Sequence, residues 1–149
     1  MTGSNDNLAF EQAHGSGLQD HLGYRLVEWA EDHAVIELDV QNHHCNRAGI
    51  LHGGVLTTLM DTASGYAICF CSVPGNVRKS LTLSLTTNFL GMAKQGVVRV
   101  VARKQGGGRK VVFTEATAYN AAGDVIGTST GTFKYHRGSE DPAGVPRDA

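Results

Sequence analysis

The chain has 149 residues and a formal net charge of −1 at pH 7, which suits one domain and does not indicate nucleic acid or an anionic membrane as the main partner. Its three cysteines, Cys45, Cys69 and Cys71, show no even-numbered disulfide pattern and are expected to be free thiols in a reducing compartment. No basic and apolar signal segment opens the sequence. We therefore expect a cytoplasmic protein with neither nucleic acid nor membrane as a partner.

The first part of the chain predicts a leader followed by a hairpin. Residues 1–16 are polar and contain glycines, so we expect a flexible leader there, with a short helix and a turn over 9–22. The runs 24–29 and 33–40 alternate apolar and polar residues, which is typical of two antiparallel strands. A polar loop follows over 41–51 and leads into the most apolar stretch of the chain.

Residues 53–71 predict one long helix that begins at a His-Gly-Gly turn and is apolar on nearly every side. Such a helix is buried in protein, and at about sixteen residues it is too short to span a bilayer. Its only polar strip is formed by Thr57, Asp61 and Gly65, spaced four apart. An unpaired buried carboxylate costs several kcal/mol, so Asp61 is expected to be paired, protonated or functional.

The second half of the chain predicts a meander of strands. Strand-like runs occupy 79–90, 96–104, 109–120 and 125–135. In the first run, Leu81, Leu83 and Leu85 alternate with hydroxyl residues, which predicts a strand with one apolar face. The triple glycine 106–108 lies between two strands and is interpreted as a hairpin turn, since phosphate loops open helices. Residues 137–149 lose all pattern and are expected to be a disordered tail.

The order of these elements predicts an α+β domain over residues 17–136. An apolar helix needs cover on most of its sides, and a twisted antiparallel sheet that curls round it provides that cover.

The spacing Asn46-x5-His52-Gly53-Gly54-x6-Asp61 resembles the signature of hotdog-fold acyl-CoA thioesterases, in particular their PaaI-like branch. The strand with Thr82, the Asn88-Phe89 pair before the turn at 91–94, the Gly108-Arg109 turn and the Gly-Thr-x-Thr-Gly-Thr-Phe ending are similar to that branch as well. The resemblance covers residues 20–136. It implies a hotdog fold, in which a curved sheet wraps a long helix, and a homodimer that often pairs again into a tetramer.

Thioester hydrolysis needs an oxyanion site and a base or nucleophile. The amino end of a helix has free N–H groups and partial positive charge, so the entrance at Gly53 and Gly54 suits a carbonyl oxygen. The resemblance implies that the Gly53 N–H makes the oxyanion contact and that Asp61 is the general base or the nucleophile. The full catalytic set that it implies is Asn46, His52, Gly53, Asp61 and Thr82.

Helix geometry adds a constraint on assembly. Gly53 and Asp61 are eight residues apart, or about 12 Å along a helix axis. A base must lie within about 3 Å of the atom that it serves. One helix therefore cannot supply both groups to one carbonyl, and we expect Asp61 of one subunit to act with Gly53 of another.

The substrate is expected to be an acyl-CoA, with no separate cofactor and no metal. Basic side chains would bind the phosphates of coenzyme A, and Arg109 and Lys110 are the first candidates, ahead of Arg78, Lys79 and Lys94. The cluster His43-His44-Cys45 has no further ligand at metal-binding spacing. The residues predicted to contact the substrate are Gly54, Met60, Ser64, Arg109 and Lys110.

Other interpretations of the same residues stay open. Asp61 could be a buried carboxylate satisfied by a neighbouring hydroxyl, His52 could fix the turn through hydrogen bonds, and Asn46 could cap the loop. The alternative function is a non-catalytic module that binds acyl-CoA or an acyl carrier. A hydratase on the same fold would need an Asp/His pair at a spacing that we do not find. Aromatic, short-chain and medium-chain acyl groups all remain open.

Overall fold

The computed structural model describes residues 3–148. The small parts of the predicted leader and tail that fall on residues 1–2 and 149 lie outside the described residues. The helices are α1 (Gly3–Ala13), α2 (Gly17–Leu22) and α3 (Gly53–Ile68), with a short 3-10 helix at Asn42–His44. The strands are β1 (Arg25–Ala30), β2 (His33–Val40), β3 (Asn76–Val77), β4 (Ser80–Phe89), β5 (Gly96–Gly107), β6 (Val111–Tyr119), β7 (Val125–Tyr135) and β8 (Val145–Pro146).

Six of these strands form one antiparallel sheet in the order β1-β2-β5-β6-β7-β4. Helix α3 packs against its inner face and buries Leu59, Met60, Ala63 and Ala67 completely. The predicted α+β arrangement of a long helix wrapped by an antiparallel sheet is confirmed. The helix ends at Ile68, three residues before the predicted end, because the N–H of Cys69 closes the last turn on Gly65 O and Tyr66 O.

The predicted hairpins are also found. Strands β1 and β2 pair directly, and β5 and β6 form a second hairpin in which Gly106 and Gly107 end β5 and the turn begins at Gly108. Gly107 has φ 128°, and a Cβ there would lie 2.6 Å from Val111 O. Only glycine tolerates that conformation and that close approach.

The interpretation of β4 as a regular alternating strand is wrong. The register shifts between Thr82 and Ser84, and this bulge reverses the faces that the following side chains occupy. Thr82 pairs with the inward Phe133, whereas Leu81 pairs with Lys134 on the outer face. Leu81 and Leu83 are 56% and 51% exposed, whereas Leu85, which follows the bulge, is half-buried. The leucines of this strand therefore do not form one buried face.

Strand β4 lies at the edge of the sheet, and its outer side has no strand partner within residues 3–148. Large exposed apolar side chains gather on this strand and directly after it, namely Leu81, Leu83, Phe89, Leu90 and Met92. An unpaired edge that carries apolar side chains is a ready surface for another chain.

The structure corrects the prediction of a flexible leader and a disordered tail. The leader contains α1, where Asn7 is buried and its side-chain amide donates to Cys71 O at 2.7 Å and to Val73 O at 3.0 Å. The tail contains β8, which pairs with β3, and a buried Ser139 whose hydroxyl accepts from Lys79 N. These contacts link polar groups that are far apart in sequence, and such links leave no local periodicity in the sequence.

Candidate active site

Asp61 lies half-way along α3 beside an open cavity of about 260 Å³. The Thr82 hydroxyl donates a 2.8 Å hydrogen bond to Asp61 Oδ1. The bulge in β4 positions Thr82 for this bond, since it sets which side chains of the strand face the helix. The cavity is lined by Asp61, Thr62, Gly65, Tyr66, Cys69, Ser80, Thr82 and Phe133.

Gly65 lies one helical turn after Asp61 and faces the same cavity. A Cβ at this position would meet no other atom within 4 Å. The space beside the carboxylate is therefore kept open by the absence of a side chain, in line with the polar strip predicted from the sequence.

The wall of the cavity also contains the protonated side chains of Tyr66 and Cys69. Burial raises the pKa of the Cys69 thiol, and the thiol donates to Ser80 Oγ at 3.3 Å. Burial, and then the carboxylate of Glu11, raises the pKa of the Tyr66 phenol. Both groups are neutral hydrogen-bond donors at ordinary pH, so Asp61 is the one carboxylate among the residues that line this cavity.

At the amino end of α3, His52 is the N-cap residue, and its Nδ1 accepts from Gly54 N at 2.8 Å. Gly53 N–H has no acceptor among the described residues. A Cβ at Gly53 would lie 3.2 Å from the Phe89 ring. The helix thus presents one unused N–H at its positive end, beside an exposed aromatic side chain.

The loop before the helix is held by its own polar groups. Asn46 Oδ1 accepts from Ala48 N at 2.9 Å and from Ile50 N at 3.2 Å, while the N–H of His52 donates to His44 O. Asn46 and His52 therefore have the structural roles that were their alternative interpretation. The Nδ2 of Asn46 and the Nε2 of His52 have no hydrogen-bond partner within residues 3–148, and both side chains are exposed.

The other predicted contact residues lie elsewhere. Met60 and Ser64, expected to line the pocket, are fully buried in the core instead, because neighbouring helical positions are rotated about 100° from each other. Gly54 is exposed at the helix entrance. Arg109 and Lys110 follow the triple glycine and line two further cavities, of about 270 Å³ and 580 Å³. Lys110 shares the larger one with Lys134 and Arg137.

Sequence reasoning missed most of the cavity wall. Cys69 lies eight positions after Asp61 and one turn after Gly65, so helical spacing was available as a signal for it. Tyr66 lies about 140° round the helix from Asp61 and shares a face with Thr62 instead. Ser80 and Phe133 gave none, since their positions depend on the β4 bulge and its pairing with β7.

No group of three or more His, Cys, Asp and Glu side chains within residues 3–148 could hold a metal ion. No described helix has both the length and the apolar character that a membrane crossing requires.

The model of the thioesterase superfamily matches residues 48–126, which is more than half of the 149-residue chain. The chain belongs to the thioesterase superfamily. As a member it is a thioester hydrolase, and the matched segment contains His52, Gly53, Asp61 and Thr82.

A Pseudomonas aeruginosa protein named "Putative esterase PA0474" is 31% identical over 120 residues, which cover 79% of this chain and 87% of that protein. Human acyl-coenzyme A thioesterase 13 is 32% identical over 100 residues, covering 65% of this chain and 68% of that protein.

Solved structures show the same hotdog fold. The conserved protein PA5202 from Pseudomonas aeruginosa superimposes with a TM-score of 0.73 at 31% identity, covering 82% of this chain and 95% of that one. The E. coli PaaI protein from the phenylacetic acid degradation operon gives a TM-score of 0.74 at 22% identity, covering 88% and 95%. The hotdog fold inferred from the motif is therefore confirmed.

Proposed function

We propose that this thioesterase hydrolyses acyl-CoA at a site shared between two copies of the chain. Asp61 of one protomer and the Gly53 N–H of the other act on the same thioester carbonyl. One observation carries the proposal. The Gly53 N–H has no acceptor among the described residues and Asp61 lines an open cavity, yet the two residues lie eight positions apart on one continuous helix, α3, or about 12 Å. The name of the human relative, acyl-coenzyme A thioesterase 13, supports coenzyme A as the thiol.

Asp61 supplies the basic or nucleophilic group. As general base, its carboxylate takes a proton from water while the water oxygen attacks the carbonyl carbon. As nucleophile, it attacks the carbon itself, and water then hydrolyses the resulting anhydride. In both routes the C–S bond breaks, and the coenzyme A thiolate leaves and takes up a proton. The Thr82 hydroxyl, 2.8 Å from Oδ1, fixes the orientation of the carboxylate.

The Gly53 N–H supplies the oxyanion contact. Negative charge develops on the carbonyl oxygen as the carbon becomes tetrahedral, and a preorganised N–H at the positive end of a helix stabilises that charge. His52 supports this geometry because its Nδ1 holds the neighbouring Gly54 N–H. The Gly53 N–H remains as the donor for the substrate.

The unpaired edge at β4 supports a homodimer. Thr82 and Phe89 lie near the two ends of this strand, one bonded to Asp61 and the other beside Gly53. A second copy that pairs along β4 would also cover its exposed apolar side chains. Such a pairing has twofold symmetry, in which the same surface of each subunit makes the same contacts, so the dimer contains two equivalent sites. A dimer of these dimers gives the tetramer that the motif resemblance implies.

Co-expression of two inactive variants tests the shared site. Gly53→Pro removes the donor N–H, and proline is well tolerated at the first helical position. The His52 backbone, with φ −64° and ψ 134°, already has a conformation compatible with a following proline. Alone, Asp61→Asn and Gly53→Pro are expected to release almost no coenzyme A. When they are co-expressed in equal amounts, half of the dimers are mixed and each has one intact site, so about a quarter of the wild-type rate should return.

The matched control is Gly53→Ala, which adds the same Cβ beside Phe89 but keeps the N–H. It should retain far more activity than Gly53→Pro. No recovery in the mixed dimers, or an active species that light scattering shows to be monomeric, contradicts the shared site. Calorimetric binding of acyl-CoA by the wild type without release of coenzyme A would instead identify a binding protein and overturn the proposal.

A further inference from the structure

Resting on the proposed function, we propose that the two ends of the chain set the range of acyl groups that the site accepts. Glu11 near the amino end and Arg147 near the carboxyl end hold the phenol of Tyr66, which forms a wall of the Asp61 cavity. Glu11 and Arg147 are positioning residues, whereas Tyr66 is the residue that contacts the acyl group.

A continuous set of contacts joins the chain ends to the cavity. The Tyr66 hydroxyl donates to Glu11 Oε2 at 3.1 Å, and Arg147 Nη1 donates to Glu11 Oε1 at 2.9 Å. The Arg147 guanidinium also lies over the Phe10 ring, 3.7 Å from its centroid. Tyr66 itself lines the cavity beside Asp61. Each carboxylate oxygen of Glu11 therefore serves a different partner, one in the cavity wall and one at the opposite end of the chain.

Because Glu11 and Arg147 are largely buried, the Glu11 carboxylate needs the charge of Arg147. The side chains of Glu11 and Arg147 are only 17% and 24% exposed. A carboxylate taken out of water needs a cation and hydrogen bonds to offset the lost hydration. If Arg147 is removed, Glu11 is left poorly compensated and should turn toward solvent, away from the Tyr66 hydroxyl.

Tyr66 is held on its other side by Trp29. The indole Nε1–H donates to Tyr66 O at 2.8 Å, and the two rings meet edge to face with centroids 5.6 Å apart. The backbone and one face of the ring are thereby fixed, which leaves the phenol end as the part that can swing. Glu11 is the group that prevents this movement.

The contacts at the chain ends lie outside the segment that is common to the family. The superfamily model matches residues 48–126, which includes Tyr66 and Asp61 but neither Glu11 nor Arg147. The reacting groups thus belong to the shared segment, while the support for one cavity wall comes from segments beyond it. Such an arrangement can alter acyl selectivity without altering the reacting groups.

The test is the rate of coenzyme A release from acyl-CoAs of increasing chain length. Tyr66→Ala removes the wall and should raise kcat/KM for long acyl groups relative to short ones by about 10-fold or more, since one methylene in a pocket is worth roughly 10–200-fold. Arg147→Met and Tyr66→Phe should change the ratio in the same direction by less. Arg147→Lys keeps the charge beside Glu11 and should restore most of the wild-type ratio.

A double substitution separates positioning from general destabilisation. If Arg147 acts through Tyr66, adding Arg147→Met to Tyr66→Ala should change the acyl ratio no further. Arg25→Met is the control, because it removes an exposed ion pair with Glu37 and should leave the ratio unchanged. Tyr66→Phe keeps the ring and tests the same contact if Tyr66→Ala does not fold.

Two different failures can be told apart. A wild-type protein that releases coenzyme A from no acyl-CoA contradicts the proposed function. An active wild type whose acyl ratio is the same in Tyr66→Phe and Arg147→Met, or in which Tyr66→Ala lowers kcat/KM equally for all chain lengths, overturns this inference alone.

Discussion

At the amino end of α3 the group offered to a substrate belongs to the backbone, whereas half-way along the helix it is a side chain. Gly53 offers an N–H with no acceptor among the described residues, while the side chains of Asn46 and His52 bond to their own loop. Asp61 instead offers a carboxylate, fixed by a second side chain, Thr82. The proposed site thus combines two kinds of group. The donor is a backbone N–H, which most side-chain substitutions leave in place, whereas a single substitution removes the carboxylate.

This difference explains which sequence signals mark each half. The backbone half is marked by Gly-Gly after a capping residue, because glycine allows close approach and the helix supplies the charge. The side-chain half is marked by a lone acid in an apolar helix. If the comparison is right, the two halves respond differently to conservative substitutions.

The largest effect is expected at Asp61. Asp61→Asn keeps the shape of the side chain but removes the basic group, so kcat should fall by about 10²–10⁴-fold. Thr82→Val removes only the hydroxyl that orients the carboxylate. One hydrogen bond to a charged group is worth about 1.5–3 kcal/mol, so kcat should fall by about 10- to 150-fold. Steady-state assays of coenzyme A release measure both.

Thr82→Ser is the matched control, since it keeps the hydroxyl and should remain close to the wild type. Circular dichroism checks that each variant folds. If Asp61→Asn keeps most of the wild-type rate, the carboxylate has no catalytic role, and the side-chain half of the comparison fails.

The same distinction shows what the sequence could predict. The buried helix, the hairpins and the polar strip with Asp61 follow from local periodicity, so pattern alone was sufficient for them. The bulge at 82–84 places Leu85 on the opposite face of the strand from Leu81, and a bulge depends on pairing with β7 rather than on local sequence. The roles of Glu11 and Arg147 depend on a contact across 136 positions, which no local pattern reveals.

A smaller effect is expected at His52, and it sharpens the comparison at the amino end. Loss of an N-cap acceptor costs about 1 kcal/mol, and asparagine is among the best replacements. His52→Ala should therefore lower the free energy of unfolding by about 1 kcal/mol in urea titrations. His52→Asn should restore it and should lower kcat far less than Asp61→Asn does. A stable but inactive His52→Asn would mean that the imidazole itself contacts the substrate, and this end of the helix would then not be a purely backbone site.

The smallest effect concerns the support of the amino-end loop and depends on pH. His44 is 1% exposed; its Nε2–H donates to Leu22 O at 2.7 Å, and its Nδ1 accepts from Gln41 N at 2.9 Å. Burial lowers the pKa of His44 from the usual 6.5; the hydrogen bond to Leu22 O and the charge of Asp39 oppose this, and the charge of His43 adds to it. Protonation would also remove the acceptor for Gln41 N–H.

The sign of the pH effect follows from proton binding. Below pH 6.5 the unfolded chain protonates His44 before the folded chain does, so the unfolded state binds more protons and the free energy of unfolding falls as pH falls. Above pH 6.5 this contribution is fully present.

Urea titrations between pH 7.5 and about 5 should show the decline, and His44→Gln should flatten it. His43→Gln is the control, because that ring is exposed beside His44, and it should leave most of the slope. An equal slope in wild type and His44→Gln would mean that the buried imidazole does not titrate with folding. The loop would then be held by backbone hydrogen bonds alone, such as that from His52 N to His44 O. In that case both the donor at this end of the helix and the loop that supports it would depend on the backbone.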